Sequence, residues 1–102
     1  MSNIEFKINE KEDITVLEFV LPSGVINPEN LKEIEPPDAV KSKFSNKLVV
    51  ISGRGPIWLY CYLTHFYHVC KAIAVFDPRL QAAVVVQTHD DSHKNGDLIP
   101  IE

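Results

Sequence analysis

Residues 51–89 read ISGRGPIWLYCYLTHFYHVCKAIAVFDPRLQAAVVVQTH, and this stretch decides the fold. An apolar run at 47–52 leads into it, a longer apolar segment follows a glycine-rich turn at 56–68, and two further runs lie at 72–76 and 82–88. Short continuous apolar runs are typical of strands buried in a sheet, and the longer segment behind a proline is typical of a helix. The stretch therefore predicts a strand, a helix, a second strand and a third strand that returns.

The order of these elements predicts how the strands pair. Two strands that are joined through a helix run parallel, because the crossover brings the chain back to the starting edge. The last strand returns antiparallel after the turn at 77–80. We expect Pro56 at the first helical position. The helix is apolar nearly all round, so we expect its own sheet and a second copy of the chain to bury it, which is a dimer hypothesis.

The flanking segments complete a small sheet. Residues 3–9 alternate apolar and polar side chains, and 14–21 are mostly apolar, so the two predict a strand hairpin. Asn27 is the expected N-cap of a short helix at 28–34. Pro36 and Pro37 are expected to end this helix, and the segment from there to Asn46 is expected at the surface. Residues 98–101 are expected to pack back on the sheet.

Length and charge limit the function. A chain of 102 residues has room for one modest core, so we predict a single domain over 1–102. Its net charge of −4 argues against broad electrostatic binding to long nucleic acid, which depends on many phosphate contacts. The charge is compatible with a small anionic ligand that a few arginines hold.

Cellular location and thiol chemistry are also predicted from the sequence. No apolar run reaches the ~18–20 residues of a membrane span, and the N-terminus carries no apolar signal segment. We therefore expect a cytoplasmic protein without a membrane partner. Cys61 and Cys70 lie in or beside apolar runs, so buried reduced thiols are favoured over a disulfide.

Two turns beyond strand ends carry the candidate ligand-binding groups. Gly53 and Arg54 stand between a strand and a helix start, where free amides and the helix dipole favour an anion. A tight turn that needs glycine for backbone reasons explains the same residues equally well. Arg79 follows Asp77 at a strand end, where open α/β sheets bind ligands. A ligand role is favoured there over a local ion pair.

Histidines form the second candidate group. His65 and His68 are three residues apart and share a helix face, which permits joint metal binding. From spacing alone, a histidine bonded to a backbone carbonyl is the favoured alternative. The role of His89, after the last central strand, is left open, and His93 is expected at the surface.

The predicted topology separates these two groups. The helix runs antiparallel to its flanking strands, so the arginine turns lie at its start and the histidines at its end. A helix over 56–68 rises ~18 Å at 1.5 Å per residue. If both groups serve one reaction, two subunits must therefore stack end to end with the ligand between them.

Three segments together carry a family resemblance: ISGRGPIWLYCYLTHFYH, then VFDPRL, then AVVV followed by THD. They resemble the CRISPR ring nuclease three family, small ancillary proteins of type III CRISPR systems, over about residues 47–99. The combination of GRGP, followed by a tryptophan, with FDPRL is specific to this family, whereas neither motif would identify it alone. The resemblance implies an α+β, ferredoxin-like sandwich, in which a mixed sheet carries an N-terminal hairpin and one main helix.

The resemblance also implies an activity. Members form dimers that stack into tetramers or filaments on cyclic tetra-adenylate, and they cleave this second messenger with manganese to linear di-adenylate. Members are also described as binding RNA and trimming its 3′ end. Cleavage would switch off the antiviral signal.

Transferred to matching positions, the resemblance assigns roles to several residues. Ligand contacts are implied for Ser52, Gly53, Arg54 and Arg79. Roles in cleavage are implied for His68, Asp77 and His65, and the metal is implied to lie beside His65, His68 and His89. The chain departs from the family where Gln81 and Ala82 follow DPRL, since glycines are usual there.

The leading hypothesis is metal-dependent hydrolysis of a cyclic phosphodiester. A metal polarises a phosphate and lowers the pKa of bound water, and a histidine or Asp77 orients or deprotonates that water. Three alternatives remain: a manganese-dependent RNA 3′-end exonuclease, a non-catalytic binder of cyclic oligoadenylate or RNA, and a structural dimer without ligand.

Overall fold

The computed structural model describes residues 3–101, which form a six-stranded mixed sheet with one α-helix packed on it. The strands are β1 (Glu5–Glu10), β2 (Ile14–Val20), β3 (Leu48–Ser52), β4 (Ala72–Asp77), β5 (Ala82–Thr88) and β6 (Leu98–Pro100). The helix α1 (Ile57–Phe66) connects β3 to β4, and a 3₁₀ helix (Pro28–Lys32) precedes β3. The predicted α+β class, a ferredoxin-like sandwich of sheet and helix, is confirmed.

The strands lie side by side in chain order, from β1 to β6. The β1–β2 pair is an antiparallel hairpin, β2, β3 and β4 are parallel, and β5 and β6 each return antiparallel. The predicted hairpin, the parallel pair around the helix and the antiparallel return are all confirmed. The C-terminal segment also packs back as predicted, because β6 pairs with β5.

Strand β3 lies in the middle of the sheet and is covered on both faces. Its residues from Leu48 to Ile51 are at most 1% exposed. Val49 and Ile51 belong to the helix-side core, together with Leu59 and Leu63 of α1. Leu48 and Val50 belong to a second core on the opposite face, against which Ile99 and Ile101 pack. A continuous apolar strand is required here, since neither face meets water.

Only one face of α1 is buried within the chain. Leu59, Leu63 and Tyr67 are spaced four apart and are fully buried, whereas Ile57 is 81% exposed. The prediction that the sheet buries this helix is thus confirmed for one face, and cover by a second copy stays a prediction.

The helix is shorter than the predicted 56–68. Pro56 is the N-cap with extended backbone (φ −71°, ψ 157°), so the first helical residue is Ile57 and not Pro56. At the other end the chain turns after Phe66, with the amide of Cys70 donating to the carbonyl of Tyr67 at 2.9 Å. This turn buries both the Tyr67 and the Cys70 side chains, and it leaves His68 outside the helix.

The connection between β2 and β3 is a second crossover, because these strands are parallel. The prediction that its last part, up to Asn46, lies at the surface was wrong for Ala39 and Phe44, which are buried in the helix-side core together with Ile26. The predicted helix at 28–34 is the shorter 3₁₀ helix, with Asn27 as its N-cap. The Tyr67 hydroxyl ties this connection to the turn after α1 by donating to the carbonyl of Pro37 at 2.6 Å.

Both cysteines are free thiols, as predicted, but only Cys70 is buried. Burial raises the pKa of the Cys70 thiol to about 11, which keeps it protonated and unreactive. Cys61 is exposed on α1, so its predicted burial was wrong. No helix within residues 3–101 is long and apolar enough to cross a membrane.

Replacing Gln81 by glycine should stabilise the fold. Gln81 has φ +53°, a left-handed conformation that disfavours residues with a Cβ atom. Gln81→Gly should raise the free energy of unfolding by about 1 kcal/mol, measured by urea denaturation. The matched control is Ala82→Gly in β5, which should instead destabilise by about 0.5–1 kcal/mol. A lower free energy of unfolding in Gln81→Gly would contradict backbone strain at Gln81.

Candidate functional site

The arginine end of the molecule consists of Ser52 to Gly55 and of Asp77 and Arg79. It lies where β3 and β4 end and α1 begins. A Cβ atom on Gly53 would lie 2.6 Å from the carbonyl oxygen of Phe19, so only glycine fits. The Tyr60 hydroxyl donates to the carbonyl of Gly53 at 2.5 Å and fixes the turn from the helix. The backbone requirement for glycine is therefore real, whether or not an anion binds.

Tyr60 is a positioning residue that the sequence analysis did not identify. Burial raises the pKa of its phenol, so the hydroxyl remains a donor. Its ring also meets Phe19 edge-on, with centroids 5.4 Å apart. The only sequence signal was its place one turn into the helix behind the glycine turn.

The two arginines at this end differ in their contacts. Arg54 is exposed, and its side chain makes no hydrogen bond or ion pair within the described part of the chain. Arg79 lies 3.4 Å from Asp77 through Nη2 and Oδ2, and its backbone N–H donates to Asp77 Oδ1 at 2.9 Å. The local ion pair considered from sequence is thus present. These Arg79 contacts lower the pKa of Asp77, which is ionised at neutral pH.

The Asp77 pairing does not bury Arg79, whose side chain remains 89% exposed. An exposed pair of this kind contributes little to stability, so Arg79 can exchange Asp77 for a phosphate. Arg54 and Asp77 line different cavities, however. Arg54 faces the loop after β2, and Asp77 faces a groove along α1 beside Cys61 and Val86.

The histidine end of the molecule consists of His65, His68 and His89. The rings of His65 and His68 stack with centroids 5.5 Å apart and planes 14° apart. His89 joins them through its Nε2, which is 3.0 Å from the carbonyl oxygen of His68. Gln87 donates to the same carbonyl at 2.9 Å, and the His89 amide donates to the carbonyl of Lys71 at 2.9 Å. The structure therefore brings the three predicted histidines together.

Backbone contacts select the tautomers of two of these rings. His68 Nδ1 is 3.0 Å from the carbonyl oxygen of His65, which is the backbone contact that the spacing favoured. Because a carbonyl oxygen only accepts, His68 must carry a proton on Nδ1 and His89 on Nε2. The lone pairs of a neutral His68 and His89 then lie on Nε2 and Nδ1. An imidazole held in this way is oriented as a base or as a ligand.

The three histidines do not form a metal site by themselves. Two of them use one ring nitrogen for a backbone carbonyl, and the stacked pair does not converge on a common point. No group of three or more His, Cys, Asp or Glu side chains within residues 3–101 is arranged to hold a metal ion. These residues of one chain therefore do not fit the manganese that the resemblance implies.

The two ends are separated by the length of α1. Its ten residues span ~15 Å at 1.5 Å per residue. The arginine end lies at its N-terminus, and the histidine end lies beyond its C-terminus. The opposite placement that the topology predicted is confirmed.

A third group, centred on Asp90, was missed in the sequence. Asp90 accepts hydrogen bonds from the Ser92 hydroxyl and from His93 Nδ1, the latter at 3.1 Å, and lies 3.5 Å from Lys71 Nζ. The Ser92 hydroxyl is the main reason why the pKa of Asp90 falls to about 2. His93, expected at the surface, has a side chain only 25% exposed. The sequence signal for this group was Ser92, two residues after Asp90, because an aspartate commonly bonds to groups two residues further along in a turn.

Asp90→Asn should destabilise the protein at neutral pH and lose this effect in acid. A lowered folded-state pKa contributes stability above the unfolded pKa of 3.8, and this stability is lost as the pH falls toward about 2. The gap in melting temperature between wild type and variant should therefore narrow steadily below about pH 4.5. The control is Asp91→Asn, an exposed neighbour, which should show little gap. A gap that widens in acid would contradict the assignment.

Comparison with known proteins agrees with the earlier resemblance at the level of the family. Residues 19–100 match the family model described as CRISPR-associated protein (Cas_csx3). The chain is also 57% identical over 96 residues to an uncharacterized protein of Aquifex aeolicus (strain VF5), covering 94% of this chain and 84% of that protein. The match covers both the glycine turn and the histidine end. The chain belongs to the Cas_csx3 family of CRISPR-associated proteins.

Proposed function

We propose that this protein is a ring nuclease, a phosphodiesterase that cleaves cyclic tetra-adenylate to linear di-adenylate and so switches off type III CRISPR signalling. The observation that carries the proposal is the separation of exposed arginines from oriented imidazoles by the length of α1. A single chain cannot easily direct both groups at one bond. A ligand held between the arginine end of one chain and the histidine end of another meets both.

Phosphate binding is assigned to the arginine end. Arg54 and Arg79 are both exposed, so each guanidinium can make paired hydrogen bonds to a phosphate. Ser52, the last residue of β3, adds a hydroxyl at the same edge, next to the turn that Gly53 makes against Phe19. Four phosphates repeat around the ring, so a few such groups from two chains suffice despite the net charge of −4.

Proton transfer is assigned to His68. Its free Nε2 can accept the proton of the attacking oxygen, from water or a neighbouring ribose hydroxyl, as this oxygen bonds to phosphorus. The bond from phosphorus to the leaving ribose oxygen then breaks, and that oxygen takes up a proton from solvent water. His65 stacks on His68 and steadies the ring. Asp77 is ionised and orients Arg79 until the phosphate arrives.

Manganese is the proposed cofactor, on the strength of the resemblance alone. Since one chain offers no three-ligand group in residues 3–101, its ligands would have to come from more than one chain. When bound, such a metal supplies charge stabilisation and a more acidic water.

Product analysis tests the activity directly. Incubation with cyclic tetra-adenylate and manganese should yield linear di-adenylate, and a chelator should abolish cleavage, with products separated by chromatography. A linear adenylate-tailed RNA serves as the competing substrate. Trimming of the RNA with an intact ring would favour the 3′-end exonuclease, whereas tight binding of an intact ring would favour a non-catalytic regulator.

Mixing two inactive variants tests the composite site. His68→Ala and Arg79→Ala should each lose activity, for lack of a base and of a phosphate contact. Mixed equally, they should recover about a quarter of wild-type activity, because random stacking pairs an intact arginine end with an intact histidine end in that share of contacts.

The matched control is a mixture of His68→Ala with His89→Ala. Both substitutions damage the histidine end, so every contact between chains has a damaged histidine end. The mixture should therefore stay inactive. Unchanged melting temperatures would verify that all variants fold. Failure of the first mixture to recover any activity, with wild type active, would contradict catalysis between chains.

A further inference from the structure

A cavity of about 530 Å³ lies beside Arg54 at the arginine end. Its walls are the loop after β2 and the start of α1, and they include Leu21, Val25, Pro28 and Trp58. Of the residues to which the proposed function gives a role, only Arg54 lines this cavity.

The lining is that of a site for an aromatic ring. Trp58 is only partly buried, so its indole can be reached from the cavity. Val25, in the loop after β2, is 62% exposed and adds apolar surface to the lining of the same cavity. Flat bases bind well between such surfaces, because stacking on an aromatic side chain excludes water without needing specific hydrogen bonds.

The charge beside the cavity indicates what is attached to the ring. The Arg54 guanidinium is exposed and has no protein partner within residues 3–101. It also borders a smaller cavity of about 290 Å³, which is lined by Glu18 and Gly53. The Glu18 carboxylate disfavours an anion inside that smaller space. A phosphate is therefore best placed at Arg54 itself, with its base directed toward Trp58.

We propose that this cavity is a nucleobase subsite, in which Trp58 stacks on the base of a nucleotide whose phosphate Arg54 holds. The chemical class of ligand is a nucleotide, because an aromatic side chain and an arginine, Trp58 and Arg54, line the same cavity. The identification of its base as adenine rests on the proposed function. The stacking itself rests only on the cavity and its lining.

Tryptophan fluorescence gives a direct readout, because Trp58 is the only tryptophan of the chain. Adenosine 5′-monophosphate should quench the emission of the wild-type protein in a saturable way. Ribose 5-phosphate, which has the same phosphate and no base, should not. No quenching by millimolar adenosine monophosphate, or equal quenching by the ribose phosphate, would overturn the proposal.

Calorimetric titration with adenosine monophosphate extends the test to variants. Trp58→Ala should weaken binding by about tenfold or more, whereas Trp58→Phe should retain most of it, as expected for stacking. Tyr62→Ala on the same helix is the matched control, since Tyr62 does not line the cavity and should leave binding unchanged. Unaltered affinity in a folded Trp58→Ala variant would contradict the subsite.

These measurements need neither turnover nor metal, so they separate this proposal from the proposed function. Base-dependent quenching with no cleavage of the ring would support the subsite and count against the nuclease. Cleavage of the ring without base-dependent quenching, and with an unchanged KM in Trp58→Ala, would support the nuclease and overturn the subsite.

Discussion

The parallel pairing of β3 with β2 and β4 is the constraint on which the rest of the molecule depends. It requires a crossover on each side of β3, one through α1 and one through the long segment after β2. It also places the ends of β3 and β4 and the start of α1 at one edge. Arginines in the turns at that edge are then separated from histidines after the helix by topology alone, without any long-range interaction between them.

Backbone carbonyls hold both ends in place. At the arginine end, the Gly53 carbonyl accepts the Tyr60 hydroxyl, and at the other end the His68 carbonyl accepts both Gln87 and His89. The first contact closes the turn directly before α1, and the other two join the segment after α1 to the end of β5, about 20 residues further along the chain. Side chains of the candidate site are therefore positioned by elements that the buried core already fixes, which reduces the cost of ordering them when a ligand arrives.

Apolar patterns predicted the central strands and the helix because burial dominates their free energy. The same patterns failed for the connection after β2, whose core residues Ile26, Ala39 and Phe44 are scattered without a period. They also misplaced the end of α1, where burial of Tyr67 and Cys70 breaks the helix. For the site, the predicted topology correctly placed the arginine group and the histidine group at opposite ends of the chain's fold. The Asp90 network and the cavity at Trp58 depend on loop conformation, which no sequence period encodes.

A site divided between the ends of a chain has a physical consequence for its regulation. Neither end alone needs a deep pocket, which suits a chain of 102 residues with a modest core. Under the proposed function, a ring of repeating phosphates would bridge two chains and bring the missing end with it, so the substrate itself would assemble the site that destroys it. Under the proposed function, activity then follows the concentration of the signal and of the stacked chains together, and it ends when the last bridging ring is opened.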